Sequence, residues 1–441
     1  MDDERIKVGH FVIIQRQKYT KLFRFNSLTA QTGLGKDQVK LKNIDGHPYS
    51  TTFKMVPNTE FGKRFIELEP CTDFSSLRES LNITESGTDN RNLVQDSDTQ
   101  ALKQDDIAKL RESGSSISEI VGTIIENSKT FTSKTEYSQE KYLKKKEKKY
   151  FDLLQIRRPT LRLIADIMYR QDPEKILGLR VDSLSQLIAF SNICATGNFL
   201  LYESGTNGLV PAALLNSIGA NTEGKLLHLH QGNVPQKQAL QALNLEQEHL
   251  DRCISVNIYS LLRQYYQGSG GGKRKLDEVI DDPTDPPPAK VSKTDDAATD
   301  VEMESIDTDK NDADVKNDEN DAESKAKNGD KQPKWVFENE RGCELLRENL
   351  DALIIVAKEH PITIVNALIQ FVKPGRPVVI FNLSREILVE TFIDLKSSNK
   401  VTGLKLSSNW LRNYQILPNR THPDVNMNGN SGFILHGYII R

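Results

Sequence analysis

Glu203-Ser-Gly-Thr-Asn-Gly-Leu209 follows the apolar run Phe199 to Tyr202 and precedes a helix-like stretch, the place where a Rossmann domain carries its glycine-rich nucleotide loop. A ligand-binding loop of this kind spaces its glycines so that the backbone turns tightly, approaches the ligand and packs on the first strand. Here the glycines are Gly205 and Gly208, while Asn207 and Leu209 stand where an E-x-G-x-G-x-G loop has its second and third glycines. Leu209 is expected to add bulk where bare backbone should face the ligand. The stretch reads as a degenerate loop, with no cofactor held by Glu203, Gly205, Asn207, Gly208 or Leu209.

Outward from the loop, Leu184 to Phe190 predicts a helix, Phe199 to Tyr202 a strand, Val210 to Ile218 a helix, Lys225 to His230 a strand and Gln236 to Leu243 a helix. This is the βαβ rhythm of a doubly wound sheet. It breaks at Gly268 and resumes after Lys334 with strands Leu353 to Val356, Val378 to Phe381 and Val401 to Leu406, helix Ile387 to Leu395 and a last strand Phe433 to Ile440. From Gly268 to Lys334 there is no Phe, Tyr or Trp, prolines occupy 286 to 288, and Asp277 to Asp330 holds 19 acidic against 6 basic residues. Such a stretch buries too little apolar surface to offset its ordering entropy. Residues 268–334 are therefore expected to be a disordered acidic insertion that divides one Rossmann-like domain into 161–267 and 335–441.

Toward the N-terminus the pattern changes to short β-type runs: Phe11 to Ile14, Leu22 to Phe25, Val39 to Lys42, Thr51 to Lys54 and Arg64 to Leu68, with turn chemistry at Gly33-x-Gly35 and Asp45-Gly46. A small β-barrel or curled antiparallel sheet over 1–75 fits best. A polar connection, 76–116, and a helical basic linker, 117–160, complete the predicted order, with Ile120, Val121, Ile124 and Ile125 as an apolar stripe. Arg157-Arg-Pro-Thr160 is expected to open the next helix, Pro159 lying in its first turn. The fold class is α/β plus β.

The 441 residues, 37% hydrophobic and 27% charged, suit a soluble chain with a disordered part. No apolar span approaches the roughly 20 residues that cross a bilayer, so no membrane is expected. Met1-Asp-Asp-Glu-Arg does not resemble a signal peptide, and the chain is expected to stay inside the cell. Cys71, Cys194, Cys253 and Cys343 form no C-x-x-C pair and read as buried thiols in a reducing compartment. His228 and His230 share a strand face without a third ligand nearby, so no metal is expected. The net charge of −3 combines about −13 in Asp277 to Asp330 with about +10 elsewhere. A basic folded part favours an anionic partner such as nucleic acid.

Two stretches are more specific than any periodicity: Glu119-Ile-Val-Gly-Thr-Ile-Ile-Glu-Asn-Ser-Lys-Thr-Phe131 through Tyr137-Ser-Gln-Glu-Lys-Tyr-Leu-Lys-Lys-Lys-Glu-Lys-Lys-Tyr150, and Asn409-Trp-Leu-Arg-Asn-Tyr-Gln-Ile-Leu-Pro-Asn-Arg-Thr-His-Pro423. With Arg180-Val-Asp-Ser-Leu184, they closely resemble the non-catalytic subunit family of the eukaryotic tRNA (adenine-N1) methyltransferases, which form 1-methyladenosine at tRNA position 58. The resemblance covers nearly the whole chain except the acidic insertion and parts of 75–116. It implies a barrel-like domain joined to a degenerate methyltransferase domain and no catalytic residue in this chain. A partner catalytic subunit would bind S-adenosylmethionine, and tRNA would be held by both subunit types in a nuclear heterotetramer of two pairs. The residues agree at three places: Lys225 to Gly232 ends without a carboxylate for ribose, Val378 to Glu386 has no aspartate-proline loop, and Leu350 to Pro361 lacks a D-x-P motif.

Lys141, Lys144, Lys145, Lys146, Lys148 and Lys149 read on composition as a solvated helix face, and the resemblance turns them into candidate phosphate contacts for tRNA. Arg157 and Arg158 are candidates of the same kind, with ion pairing as the alternative. Tyr142 and Tyr150 read as packing residues. Arg180, Trp410, Arg412 and Tyr414 are candidates for a tRNA contact or a subunit interface, with Trp410, Leu411 and Tyr414 equally readable as core. Lys273-Arg274-Lys275 and the lysine run at 144 to 149 resemble nuclear-import signals. Two rival readings remain: an active S-adenosylmethionine-dependent RNA methyltransferase with an unusual loop, and an interaction scaffold with no direct RNA contact.

Overall fold

Period-two alternation of apolar side chains builds the first sheet, placing Val12, Ile14, Phe53, Met55, Leu154 and Ile156 on one buried face. The computed structural model describes residues 5–35, 37–57, 65–71, 87, 102, 106–107, 110, 117–128, 130–150, 153–268, 333–417, 420–425, 427 and 429–440. The acidic stretch 269–332, Lys273-Arg-Lys275 and nearly all of 76–116 lie outside the described residues.

The first sheet has seven strands: β1 (Phe11–Arg16), β2 (Tyr19–Arg24), β3 (Gln31–Leu34), β4 (Asp37–Lys40), β5 (Thr52–Pro57), β6 (Phe65–Pro70) and β7 (Leu153–Arg157). Their spatial order, β2-β1-β7-β5-β6-β4-β3, is antiparallel except where β4 meets β6. Lys21 Nζ on one edge strand reaches the Gly33 carbonyl on the other at 3.3 Å, so the sheet curls almost closed. Gly33 lies inside β3, a strand the sequence reading took for turn; Gly35, at φ +68°, makes the turn itself.

Strand β7 revises the expected linker over 117–160. Its residues alternate inward and outward and pair antiparallel with β1 and β5. The next helix starts later than predicted: Thr160 caps it through its side chain, and Arg157 to Pro159 precede it. Between β6 and β7, helices α1 (Ile117–Glu126) and α2 (Glu136–Tyr150) close a small core of Ile120, Val121, Ile124, Phe131 and Leu143.

The second sheet is the doubly wound one. Its strands are β8 (Asn198–Glu203), β9 (Lys225–His230), β10 (Cys253–Asn257), β11 (Ala352–Val356), β12 (Pro377–Asn382) and β13 (Val401–Ser408), followed by a hairpin, β14 (Tyr414–Leu417) with β15 (Arg420–Pro423), and a final strand, β16 (Phe433–Ile439). The order is β10-β9-β8-β11-β12-β16-β13, parallel up to β12 and antiparallel at β16. Two cores cover its faces. On the first lie α3 (Leu161–Gln171), α4 (Val181–Phe190), α5 (Leu209–Ile218), α6 (Gln238–Ala242) and the short α7 (Gln247–Asp251); on the other lie α8 (Ile258–Gln267), α9 (Lys334–Glu348), α10 (Pro361–Leu368) and α11 (Arg385–Ser397).

The two sheets are joined by paired polar contacts. Phe11 N–H donates to Asn244 Oδ1, and Asn244 Nδ2 donates to the Phe11 carbonyl, each at 2.8 Å. Arg170 on α3 donates to the Lys18 carbonyl at 3.1 Å and to the Thr20 hydroxyl. The cysteines differ from expectation in part: Cys253 and Cys343 are buried, whereas Cys71 is half-buried and Cys194 exposed.

Candidate cofactor loop and nucleic-acid interface

Strand β8 lies inside the second sheet, between β9 and β11, and delivers Glu203 to its C-terminal edge, opposite His230 of β9 and Val356 of β11. The loop then turns through three left-handed residues, Gly205, Asn207 and Gly208, at φ +84°, +52° and +76°. Asparagine tolerates this region better than other side chains, so Asn207 keeps the turn that a glycine would make there. Leu209 corrects the sequence reading. It is fully buried in the core beneath α5, so its bulk does not cover the loop.

The loop is instead tied down from below. Glu203 is 3% exposed, and its Oε1 accepts from the N–H and hydroxyl of Thr206 and from Gly208 N–H at 3.4 Å. Its Oε2 meets His228 Nε2 at 2.8 Å, and His228 Nδ1 faces Ser255 Oγ at 3.3 Å. Burial alone would lower the pKa of the fully enclosed His228, but Cys253 and Glu203 beside it reverse the effect and hold it up at about 9. Burial would likewise raise Glu203, and the His228 bond holds it below the usual carboxylate range. The pair is an imidazolium against a carboxylate, inside the protein.

Three further loop donors are satisfied inside the chain. Ser204 N–H donates to the Val356 carbonyl at 3.0 Å, Asn207 N–H to Gln236 Oε1 at 3.1 Å, and Leu209 N–H to the Thr206 carbonyl at 3.0 Å. A Cβ on Gly205 would meet Lys358 Cε at 2.6 Å, and one on Gly208 the Gln236 carbonyl at 2.7 Å, so neighbouring chain already presses on both glycines. After β11, the Ser204 hydroxyl donates to Glu359 at 2.6 Å. After β12, Asn382 Oδ1 accepts from Ser384 N–H at 2.9 Å and closes a turn. A phosphate- or ribose-binding loop works by turning such donors outward; here they point home.

A metal is no better served. Both ring nitrogens of His228 are engaged, and burial together with the His228 charge lowers the pKa of His230. Among the described residues no three His, Cys, Asp or Glu side chains are grouped to hold an ion.

The candidate nucleic-acid residues fall into three groups. On α2, Lys141 and Lys145 are exposed, and Lys146 Nζ stands 5.2 Å from the ring centre of Tyr142, which Lys134 approaches at 4.7 Å from its own position. Tyr142 itself packs at 5.4 Å from Phe131, as a packing residue should. The side chains of Lys144, Lys148, Lys149 and Tyr150 lie outside the described residues. Arg157 belongs to β7 and donates to Gln15 Oε1 at 3.0 Å, whereas Arg158 is exposed and borders an open cleft of about 690 Å³ at the start of α3. Arg180 is buried at 6% exposure and forks onto Asp182 at 2.7 and 2.8 Å, so its guanidinium serves this fold.

Trp410, Leu411 and Tyr414 are not core. They are 76%, 38% and 53% exposed, and Ile416, which sequence reasoning passed over, is 75% exposed. Arg412 is exposed among them. The segment is nevertheless well rooted: Ser183 Oγ donates to the Ser431 carbonyl at 2.7 Å and Ser431 Oγ to the Asn409 carbonyl at 2.9 Å. The alternation Tyr414-Gln-Ile416, with Trp410 before it, was the available signal for a projecting apolar hairpin.

The profile of the Gcd10p family matches residues 5–328. The Mus musculus tRNA (adenine(58)-N(1))-methyltransferase non-catalytic subunit TRM6 is 30% identical over 462 residues, spanning 100% of this chain and 89% of that protein. Its namesake in Dictyostelium discoideum is 30% identical over 98% of this chain and 79% of its own length. Among solved structures, the tRNA (m1A58) methyltransferase TrmI from Aquifex aeolicus aligns over 99% of this chain and 100% of its own at 9% identity and TM-score 0.44, a distance at which no residue role carries across.

Proposed function

This chain belongs to the Gcd10p family, and we propose that it is the non-catalytic subunit of a tRNA (adenine(58)-N(1))-methyltransferase. It performs no methyl transfer itself. The observation that carries this reading is Glu203: its carboxylate takes the donors of Thr206 and Gly208 and is neutralised by His228, so the loop is occupied by its own chain. The rival reading, an active enzyme, needs those donors and a ribose-binding carboxylate at the end of β9, where Gln231 and Gly232 stand.

In this reading S-adenosylmethionine is held by a partner catalytic subunit, and the complex acts on adenosine 58 of tRNA. The exposed Trp410, Tyr414 and Ile416 support a docking role for the hairpin, and the exposed Lys141, Lys145 and Arg158 support phosphate contacts that position RNA without reading its bases. Two such pairs forming a heterotetramer, and residence in the nucleus, are part of the same proposal. No helix among the described residues is long and apolar enough to cross a membrane.

The test is methyl transfer from labelled S-adenosylmethionine to unmodified tRNA by this chain, by its catalytic partner, and by the two coexpressed. Activity confined to the coexpressed sample is expected. Transfer by this chain alone, or saturable binding of S-adenosylmethionine to it in a calorimetric titration, would sink the proposal.

A further inference from the structure

Beside the Glu203 loop, an open cleft of about 560 Å³ separates the first sheet from the second domain. Phe11 and Leu22 line it from β1 and β2, Ile167 and Met168 from α3, and Asn207, Gln238 and Gln241 from the loop and α6. Gln171 completes the rim at the end of α3. The floor is apolar, and four side-chain amides surround it.

The charge of the cleft is nil. Its two charged lining residues, Asp172 and Lys175, pair at 3.2 Å. That lining gives an isolated anion nothing to bind. It suits a flat, neutral molecule with mixed donors and acceptors, because each amide offers both within one plane and pairs in two-point fashion with a base edge. Phe11, on the wall of the cleft, supplies an aromatic surface of the kind on which unstacked bases rest. Among the described residues no hydrogen bond engages the side-chain amides of Gln171, Gln238 or Gln241. The wall is fixed none the less, since Asn207 N–H is held by Gln236 and its carbonyl accepts from Ala239 N–H at 3.1 Å.

Resting on the tRNA-binding reading above, we propose that this cleft receives one unstacked nucleobase of the bound RNA, gripped by Gln238 and Gln241 over an apolar floor. The phosphate contacts on α2 position the strand; the cleft adds a contact that requires a base.

The test uses the full chain co-purified with its methyltransferase partner and two short end-labelled RNAs of equal length, oligoadenylate and its abasic counterpart. The partner's own share of base binding is common to both protein forms and cancels in the comparison. Relative to wild type, the double variant Q238A/Q241A is expected to lower the preference for oligoadenylate over the abasic strand about tenfold, the size of one lost two-point base contact. Both glutamines are exposed, so the variant should fold. A preference that Q238A/Q241A leaves unchanged overturns the assignment of the cleft while normal tRNA affinity leaves the function standing. Absence of any tRNA binding would overturn both.

Discussion

The loop after β8 and the hairpin β14–β15 solve opposite problems with opposite chemistry. The loop sits where a Rossmann domain normally meets a ligand, yet the N–H groups of Ser204, Thr206, Asn207, Gly208 and Leu209 are bonded within the chain, above a buried ion pair. The hairpin lies on the outside, with Trp410, Tyr414 and Ile416 each more than half exposed on a base anchored by Ser183 and Ser431. A buried polar network rigidifies when fully satisfied, and an exposed apolar cluster calls for a partner. The loop spends its polar groups on the fold, whereas the hairpin leaves its apolar side chains exposed.

The sharpest way to break this contrast is Glu203→Ala. It leaves His228 charged or desolvated without its partner and strands the Thr206 and Gly208 donors, so unfolding free energy should fall by about 3–5 kcal/mol, read from the urea midpoint. A loss below 1 kcal/mol would mean that the ion pair contributes little. The same pair sets a pH signature. Because the His228 pKa is raised to about 9, its contribution is complete below the unfolded value and disappears as pH rises from there through 9. Glu203, being lowered, acts at the other end, and its contribution is lost as pH falls through its folded pKa. The alkaline limb should cost on the order of 3 kcal/mol, and thermal melts of His228→Asn should lack that limb.

On the hairpin, Trp410→Ser with Ile416→Ser should change the stability of the isolated chain by no more than about 0.5 kcal/mol. Association with the catalytic subunit should weaken by about 2 kcal/mol, roughly thirtyfold, in a dissociation measurement. An unchanged complex would remove the hairpin from the interface. The smallest effect is expected on α2. Lys141→Glu with Lys145→Glu should lower the slope of log affinity for tRNA against log salt by about one unit per lost phosphate contact. A slope equal to wild type would return both lysines to the solvated face.

Much of the second sheet was legible because its buried strands are short β-branched and leucine-rich runs flanked by turns. Leu353 to Val356 and Val378 to Phe381 are examples, and the structure extends each by only a residue or two. Strand β10 escaped notice because Cys253-Ile-Ser-Val-Asn257 is five residues long with polar groups on one face, and Ser255 is there to meet His228. Strand β7 escaped because Leu153-Leu-Gln-Ile-Arg157 follows a strongly basic helix, although its alternation was visible. The degeneracy of the loop was legible from glycine count, but its cause was not. Sequence inspection put the extra bulk of the loop at Leu209, which is buried away from it, whereas the loop is tied down by Glu203 and His228, 25 positions apart and adjacent only once β8 and β9 pair.

Strand β7 has a consequence in time as well as in space. In the finished sheet Phe53 pairs with Leu154, 101 positions later in the chain, and Ile14 pairs with Ile156 at still longer range. Pairings so distant in sequence form slowly, because the chain must close a long loop before they stabilise anything. On a ribosome, β1 and β5 each wait with an open edge until the basic helix and then residues 153–157 have emerged. The first sheet is therefore the last part of its own neighbourhood to close, and nascent chains interrupted before β7 should be the most aggregation-prone products of this sequence.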